Sequence, residues 1–127
     1  MSEYLYDHVH LISPDPLKTS AFYEYMFAAR RANIAETEMG TMVRLEIGSS
    51  VINIMPPRKQ LIIPSPSGNV YGIEHFGLKT DNLVQAVAEL KAKDVRFAVD
   101  IVEPKPGFKT SFLVAPENVL IELFEEK

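Results

Sequence analysis

Tyr6-Asp7-His8-Val9-His10-Leu11-Ile12 alternates with the two-residue period of a strand that buries one face. A second stretch of this kind, Ile73-Glu74-His75-Phe76-Gly77-Leu78, begins the other half of the chain. In both stretches an acidic residue directly precedes a histidine. A chain that repeats one supersecondary unit predicts a duplicated architecture, so these two strands decide the fold.

The first strand is followed by the signals of a helix and a hairpin. Asp15-Pro16 predicts a helix cap and a first helical residue. Six apolar residues then recur at helical spacing and are expected to bury one helix face: Leu17, Ala21, Phe22, Tyr25, Met26 and Ala29. Two short strands are predicted at 41–47 and 51–55, with a hairpin turn at Gly48-Ser49-Ser50 between them.

The same order of elements returns after a proline-rich segment at 56–69, which is typical of a connector. Asp81 predicts a second helix cap, and the helix that follows runs to about Lys93. Val84, Val87, Leu90 and Lys91 mark this helix. Three further strands are predicted at 97–102, 110–114 and 119–124, with a turn at Pro116-Glu117-Asn118. We predict a single domain over 1–127, with module one at about 1–57, a connector at about 58–70 and module two at about 71–127.

Composition excludes several classes of function. The net charge is -4 and the basic residues are scattered, whereas nucleic-acid binding needs clustered Lys and Arg. No apolar run approaches the roughly 20 residues that span a bilayer, so no membrane partner is expected. The acidic start lacks the features of a secretory signal, and we expect a cytoplasmic protein. Because the chain has no cysteine, a metal ion would need His, carboxylate, amide or water ligands.

Three stretches resemble the vicinal oxygen chelate superfamily. They are Asp7-His8 with Ser13-Pro14-Asp15-Pro16, Glu74-His75-Phe76-Gly77-Leu78 with Asp81-Asn82-Leu83, and Ala115-Pro116-Glu117-Asn118-Val119-Leu120-Ile121-Glu122-Leu123. This superfamily includes glyoxalase I, methylmalonyl-CoA epimerase, extradiol dioxygenases and bleomycin-binding proteins. The resemblance implies an α+β fold in which two βαβββ modules form a curved mixed sheet, and a homodimer. It also implies a metal ion held in the cup of that sheet.

The resemblance further implies the ligands of that ion. They are His8 and His75 from the first strand of each module, and Asn53 and Glu122 from the last strand of each. Imidazole and carboxylate suit one divalent ion of Ni, Co, Zn, Mn or Fe. A single histidine on a surface strand is more often a solvated side chain. Two histidines in equivalent repeats, together with Glu122 in an apolar strand, favour a metal site.

Asn53 separates the possible chemistries, because bacterial glyoxalase I has a glutamate at that position. An amide cannot act as a base, which weakens the plain glyoxalase I interpretation. Methylmalonyl-CoA epimerases have an amide there, and extradiol dioxygenases use only two histidines and one glutamate. Both alternatives are compatible with Asn53.

Three residues are candidate proton-transfer groups. Glu38 resembles the acid that precedes a glycine in epimerases. Glu46 is a candidate because strand alternation places its side chain on the same face as that of Asn53. A two-residue turn at Ser49-Ser50 would set the two residues nearly opposite each other. A pair with Arg44 is the structural alternative for Glu46. His10 lies two residues after His8 and faces the same side, where it could transfer a proton or only form a supporting hydrogen bond.

The preferred hypothesis is a metal-dependent lyase or isomerase of the glyoxalase and epimerase kind. It would transfer a proton next to a metal-chelated carbonyl of a small anionic substrate, which Arg44, Lys105 and Lys109 could attract. A ring-cleaving dioxygenase is the first alternative, with Tyr71, Phe108, Phe112 and Phe124 as the candidate lining of an aromatic cup. A non-catalytic small-molecule-binding module, as in antibiotic resistance, is the second. Fosfomycin resistance is disfavoured, since that family has a tyrosine where this chain has Phe112.

Overall fold

The computed structural model describes residues 3, 5–57 and 73–127. The predicted connector at 58–70 and Tyr71 lie outside these residues. The chain divides into two compact units, Met1–Pro64 and Ser65–Lys127, and each is described by itself. Neither described helix is long or apolar enough to cross a membrane.

The first unit is a four-stranded sheet with one helix. Its elements are β1 (His8–Ile12), α1 (Pro16–Phe27), β2 (Arg30–Thr37), β3 (Gly40–Ile47) and β4 (Ser50–Met55). The strand order is β1-β4-β3-β2, with β1 parallel to β4 and the other pairs antiparallel. Strand β2 was not predicted for this module, because a bulge between Arg31 and Asn33 interrupts its two-residue period.

The second unit repeats this arrangement. It contains β5 (His75–Lys79), α2 (Leu83–Ala92), β6 (Arg96–Lys105), β7 (Phe108–Ala115) and β8 (Val119–Glu126), with a short 3-10 turn at Pro116–Asn118. The order is β5-β8-β7-β6, and β5 is parallel to β8. Two units of strand, helix and three strands confirm the predicted α+β fold.

Each sheet buries one face beneath its helix. In the first unit the buried residues on this face of the two central strands are Val43, Leu45, Ile52 and Ile54. In the second they are Leu113, Ala115, Ile121 and Leu123, together with Leu83, Val87 and Leu90 of α2. Because strand side chains alternate between faces, the residues between these positions lie on the other face, where the candidate site residues are found.

Helix α1 begins as predicted but buries a different face. The Oδ1 atom of Asp15 accepts a hydrogen bond from the backbone N–H of Lys18 at 3.2 Å, and Pro16 is the first helical residue. The buried residues are Pro16, Thr19, Ser20 and Tyr23, whereas Leu17, Ala21 and Tyr25 are exposed. The prediction was therefore wrong for these three positions, whereas Phe22 and Met26 are half-buried and Ala29, just after the helix, is buried. The buried hydroxyl of Thr19 forms a hydrogen bond with the buried hydroxyl of Ser13, with 2.7 Å between the two oxygens. This hydrogen bond offsets the cost of burying the two groups.

Helix α2 has its cap one residue later than predicted. The side chain of Asn82, not Asp81, accepts the hydrogen bond from the backbone N–H of Gln85, at 3.1 Å. The buried face consists of Leu83, Val87 and Leu90, whereas Val84 is exposed. The helix ends close to the predicted position, and Lys93 is its C-cap residue.

Glu125 ties β8 to the start of α2. Its Oε1 atom accepts a hydrogen bond from the backbone N–H of Leu83 at 2.9 Å. This hydrogen bond, together with the charges of Lys127 and Lys109, holds the pKa of the Glu125 carboxyl below its ordinary value of 4.5. The anionic form is therefore the one that the fold stabilises.

Glu125→Gln is accordingly expected to lower the free energy of unfolding at neutral pH. A depressed folded-state pKa contributes stability above the unfolded-state pKa and loses it as the pH falls through the folded-state value. The difference between wild type and variant should be constant near pH 7 and should shrink below about pH 4.5. Urea unfolding across this range measures it, with the exposed neighbour Glu126→Gln as the control. A difference that grows on acidification would contradict the assignment.

Candidate metal centre

His75 and Glu122 lie side by side on one face of the second sheet. His75 opens β5, and Glu122 on β8 is the register partner of Gly77, two residues further along β5. Gly77 carries no side chain, and a Cβ atom at this position would lie 3.5 Å from the Oε1 atom of Glu122. The Nε2 atom of His75 is 3.3 Å from the Oε1 atom of Glu122. Both side chains are about one-fifth to one-quarter exposed, which leaves them accessible to a small ligand.

A further hydrogen bond orients each of the two side chains, His75 and Glu122. The Nδ1 atom of His75 lies 2.9 Å from the Oε1 atom of Glu74, so a proton on Nδ1 is held by that carboxylate. This leaves the lone pair of Nε2 for a metal ion, the usual arrangement for metal-binding histidines. The buried hydroxyl of Thr110 donates to the Oε2 atom of Glu122 at 2.7 Å, and Oε1 is the oxygen that faces His75.

Aromatic rings border this pair. Phe112 on β7 is the register partner of Glu122, and its ring meets the ring of His75 edge-on, with centroids 5.0 Å apart. Phe108 and Phe124 stack with centroids 5.8 Å apart and lie on the same face by strand parity. The three described aromatic residues proposed for an apolar lining therefore share a face with Glu122.

The two lysines that were considered for substrate attraction lie in different positions. Lys105 is at the end of β6, with its ammonium group 5.7 Å from the centroid of the Phe108 ring. Lys109 is next to Thr110 and is the register partner of Glu125, so it lies on the opposite, helix-facing side of the sheet. Lys109 is thus separated from the face that carries His75 and Glu122.

The first unit repeats the orientation of the histidine. The Nδ1 atom of His8 is 2.7 Å from the Oδ2 atom of Asp7, as Nδ1 of His75 is from Glu74. The hydrogen bond to His8 holds the pKa of the Asp7 carboxyl below its usual range. Both first-strand histidines therefore have Nδ1 occupied by the preceding acid.

Strand register makes Asn53 the counterpart of Glu122. His8 pairs with Val51, and Asn53 follows two residues later; His75 pairs with Leu120, and Glu122 follows two residues later. The Oδ1 atom of Asn53 is buried and has no hydrogen-bond partner among the described residues. Burial of a carbonyl oxygen without a hydrogen-bond partner costs free energy unless a further group binds it. This oxygen is therefore available as a metal ligand.

The register corrects the predicted position of Glu46. The turn is formed by Gly48 and Ser49, so Ile47 pairs with Ser50 and Glu46 pairs with Val51. The residue opposite Asn53 is therefore Arg44. Glu46 lies on the same face, two residues further along β3. The carboxylate of Glu46 forms an ion pair with Arg30 of β2, not with Arg44.

The two other candidate bases lie at different distances from Asn53. His10 is half-buried and is the register partner of Asn53 on β1. Glu38 is exposed in the turn between β2 and β3. It lies six residues before Arg44, the residue that pairs with Asn53. The structure brings His10 to Asn53 and does not bring Glu38 there.

The donor atoms fit a divalent metal ion. Two metal–ligand bonds of about 2.1 Å that meet at about 90–110° separate their donors by about 3.0–3.4 Å. The 3.3 Å between His75 and Glu122 is within that range. Within residues 3, 5–57 and 73–127, no three His, Asp or Glu side chains are close enough to hold an ion by themselves. Each unit therefore offers a partial ligand set.

One family model covers most of the chain. The sequence model of the glyoxalase/bleomycin resistance protein/dioxygenase superfamily matches residues 5–123. The chain belongs to this superfamily. The predicted resemblance is thereby confirmed, and none of the functionally curated proteins matches the sequence.

Solved structures of the superfamily share the fold. The glyoxalase family protein from Enterococcus faecalis is similar with a TM-score of 0.77 and 19% identity, over 95% of this chain and 97% of that chain. The fosfomycin resistance protein FosX from Listeria monocytogenes gives 0.74 and 20%, over 100% and 96%. TioX from Micromonospora sp. ML1 gives 0.71 and 11%, over 97% of each. One FosX structure is a complex with Mn(II) and sulfate, so the superfamily includes metal-binding members.

Sequence reasoning did not find the groups that support the ligands. Thr110 was placed only as a strand residue, although its hydroxyl bonds Glu122. The roles of Asp7 and Glu74 were also missed, although the acid-histidine pair was noted in both repeats. The signal was the repetition itself: an acid at the same offset from both histidines indicates a shared role.

Proposed function

We propose that this chain is a metal-dependent enzyme that transfers a proton next to the chelated carbonyl of a small anionic substrate. It would act as a lyase or isomerase of the glyoxalase and epimerase kind. The proposed ligands are His8, His75 and Glu122, with Asn53 as a fourth, and the cofactor is one divalent ion of Ni, Co, Zn, Mn or Fe. The superfamily resemblance also favours a homodimer, and we propose a cytoplasmic location.

One observation carries the metal assignment. In each unit the Nδ1 atom of the first-strand histidine is bonded by the preceding carboxylate, at 2.7 Å for His8 and 2.9 Å for His75. Such a bond fixes the tautomer in which Nε2 is a donor for metal. In the second unit that Nε2 is already 3.3 Å from the Glu122 carboxylate. A histidine held only for packing needs neither feature.

Of the three candidate bases, His10 has the strongest support. A divalent ion at these residues would polarise a substrate carbonyl and stabilise negative charge on its oxygen. His10 is half-buried beside Asn53, and an imidazole can accept and return a proton near neutral pH. The carboxylate of Glu46 is already bonded by Arg30, and Glu38 is on an exposed turn.

The substrate class is supported by a structural neighbour. FosX from Listeria monocytogenes, in its E126Q form, was crystallised with Mn(II) and 1S,2S-dihydroxypropylphosphonic acid. That ligand is a small anion with neighbouring oxygens, which is the chemistry proposed for this chain. Phe112 lacks the hydroxyl that the resemblance implies for fosfomycin-resistance enzymes, so the reaction itself is not carried over.

A ring-cleaving dioxygenase is the second candidate, because of the aromatic rings on the Glu122 face. The edge-on contact of Phe112 with His75, and the stack of Phe108 on Phe124, would suit an aromatic diol. Two histidines and one glutamate would leave positions for the diol and for oxygen. A non-catalytic binding module has no need for the His75–Glu122 pair.

Proton exchange and oxygen uptake distinguish these candidates. Protein loaded separately with each of the five metals is incubated in D2O with methylmalonyl-CoA or the hemithioacetal of methylglyoxal, and with catechol in an oxygen electrode. We expect deuterium incorporation next to a carbonyl and no oxygen uptake. His10→Gln should slow the exchange by about 100-fold or more, and Glu38→Gln should leave it unchanged. Oxygen consumption at enzymatic rates with catechol would overturn proton transfer, and failure to bind any metal would favour the binding module.

A further inference from the structure

We propose that Arg44 binds the oxyanion group of the substrate, a carboxylate or a phosphonate, next to the group that contacts Asn53. The inference rests on the proposed function and specifies its substrate class. It assigns a binding role to the three-residue row formed by His10, Asn53 and Arg44, which pair across β1, β4 and β3.

Arg44 is a half-buried cation with no carboxylate in salt-bridge contact among the described residues. Arg30 pairs with Glu46, and Arg31 pairs with Glu24 at 2.7 Å, whereas no carboxylate lies within salt-bridge distance of Arg44 among the described residues. The residues outside the description, 1, 2, 4 and 58–72, contain no Asp or Glu. Arg44 therefore has no close ion pair among the described residues, which leaves its guanidinium group for an anion from outside the chain.

Two acids near Arg44 are bonded to other groups. Glu46 follows Arg44 by two residues on the same face and is held by Arg30. Asp7 is influenced by the charge of Arg44, but its carboxylate is bonded to the Nδ1 atom of His8 at 2.7 Å. The two acids are thus fixed in other pairs, and the guanidinium group stays available.

An arginine in this position suits an oxyanion that is part of a chelating substrate. Side chains of directly opposite residues in an antiparallel pair have their Cβ atoms about 4.5–5.5 Å apart, so the guanidinium group extends over the neighbourhood of Asn53. Its planar fork of donors matches carboxylate and phosphonate oxygens. The uncompensated charge would also attract such an anion and orient its chelating end toward Asn53.

Titration of the full-length, metal-free protein with inorganic phosphate tests the inference. The protein carries 15N-arginine, and the Nε–Hε signal of Arg44 is assigned by its loss in Arg44→Gln. We expect a saturable shift of this signal, and Arg44→Gln should weaken phosphate binding by about tenfold or more, as for loss of a charged hydrogen-bond donor. Arg96→Gln, which removes an exposed arginine of β6, should leave it unchanged.

A second titration with acetate identifies the kind of anion. Binding of phosphate alone assigns a phosphonate or phosphate group, and binding of acetate assigns a carboxylate. If neither anion shifts the Arg44 signal, or if Arg44→Gln binds phosphate as well as the wild type does, the inference is wrong. Zn(II) affinity is measured separately on the same variant and should not decrease, because the change removes a cation near the proposed ligand Asn53. A failure of the metal assignment is thus distinguishable from a failure at Arg44.

Discussion

Glu122→Gln is expected to lower the affinity for Zn(II) by more than about 100-fold, because loss of a supporting residue alone costs about 10–100-fold. The substitution keeps the size of the side chain and removes the charge that faces Nε2 of His75 at 3.3 Å. Thr110→Val, which removes only the 2.7 Å hydrogen bond to Oε2, should cost about tenfold. Competition with a chromophoric chelator measures both affinities.

Glu126→Gln is the control for this prediction, because it removes an exposed acid from the same strand. Its Zn(II) affinity should equal that of the wild type. An equal loss in Glu122→Gln and Glu126→Gln would mean that net charge and not ligation determines binding. Unchanged affinity in Glu122→Gln would remove Glu122 from the ligand set.

Tyr23→Ala is expected to lower the free energy of unfolding by about 3–5 kcal/mol, the usual cost of removing a large aromatic side chain from a core. Tyr23 has no exposed surface, and its ring contacts the rings of Phe22 and Phe27, with centroids 5.4 and 6.1 Å away. The corresponding change on the other side of the same helix, Tyr25→Ala, removes a side chain of a residue that is 63% exposed. It should change stability by no more than about 0.5 kcal/mol.

Chemical unfolding of the two variants decides which face of α1 is buried. The sequence pattern favoured the face with Leu17, Ala21 and Tyr25, and the structure buries the face with Thr19 and Tyr23. A larger loss in Tyr25→Ala than in Tyr23→Ala would restore the face that the pattern predicted. Equal losses would show that neither face is decisive.

The fold was predictable because its signals are local and occur twice. The cap at Asp15-Pro16 and the paired acid-histidine strands need only neighbouring residues to be recognised. Strand β2 was missed because its bulge interrupts the alternation on which prediction depends. The face of α1 was missed because the buried hydroxyl of Ser20 donates to Glu24 at 2.8 Å and accepts from Arg31 of β2 at 3.2 Å, and a ranking of helix positions by hydrophobicity does not take such polar partners into account.

The candidate site was predictable in its residue types and less so in its pairing. His75 and Glu122 were named from the resemblance, and the structure places them together. Glu46 was placed opposite Asn53, and a shift in the turn makes Arg44 that partner instead. A one-residue change in a turn exchanges all partners along a hairpin, and the residues Gly48-Ser49-Ser50 allow more than one turn. This is why the pairing that points to Arg44 required coordinates.

The most direct test of the metal site follows the histidine nitrogens during a Zn(II) titration. Full-length protein labelled with 15N-histidine is titrated with Zn(II), and the Nδ1 and Nε2 shifts of His8, His10 and His75 are recorded. We expect saturation at one equivalent, with the Nε2 signals of His8 and His75 moving to metal-bound values while their Nδ1 atoms remain protonated. Unchanged Nε2 shifts for His75 at saturating Zn(II), or ligation through Nδ1, would contradict the account.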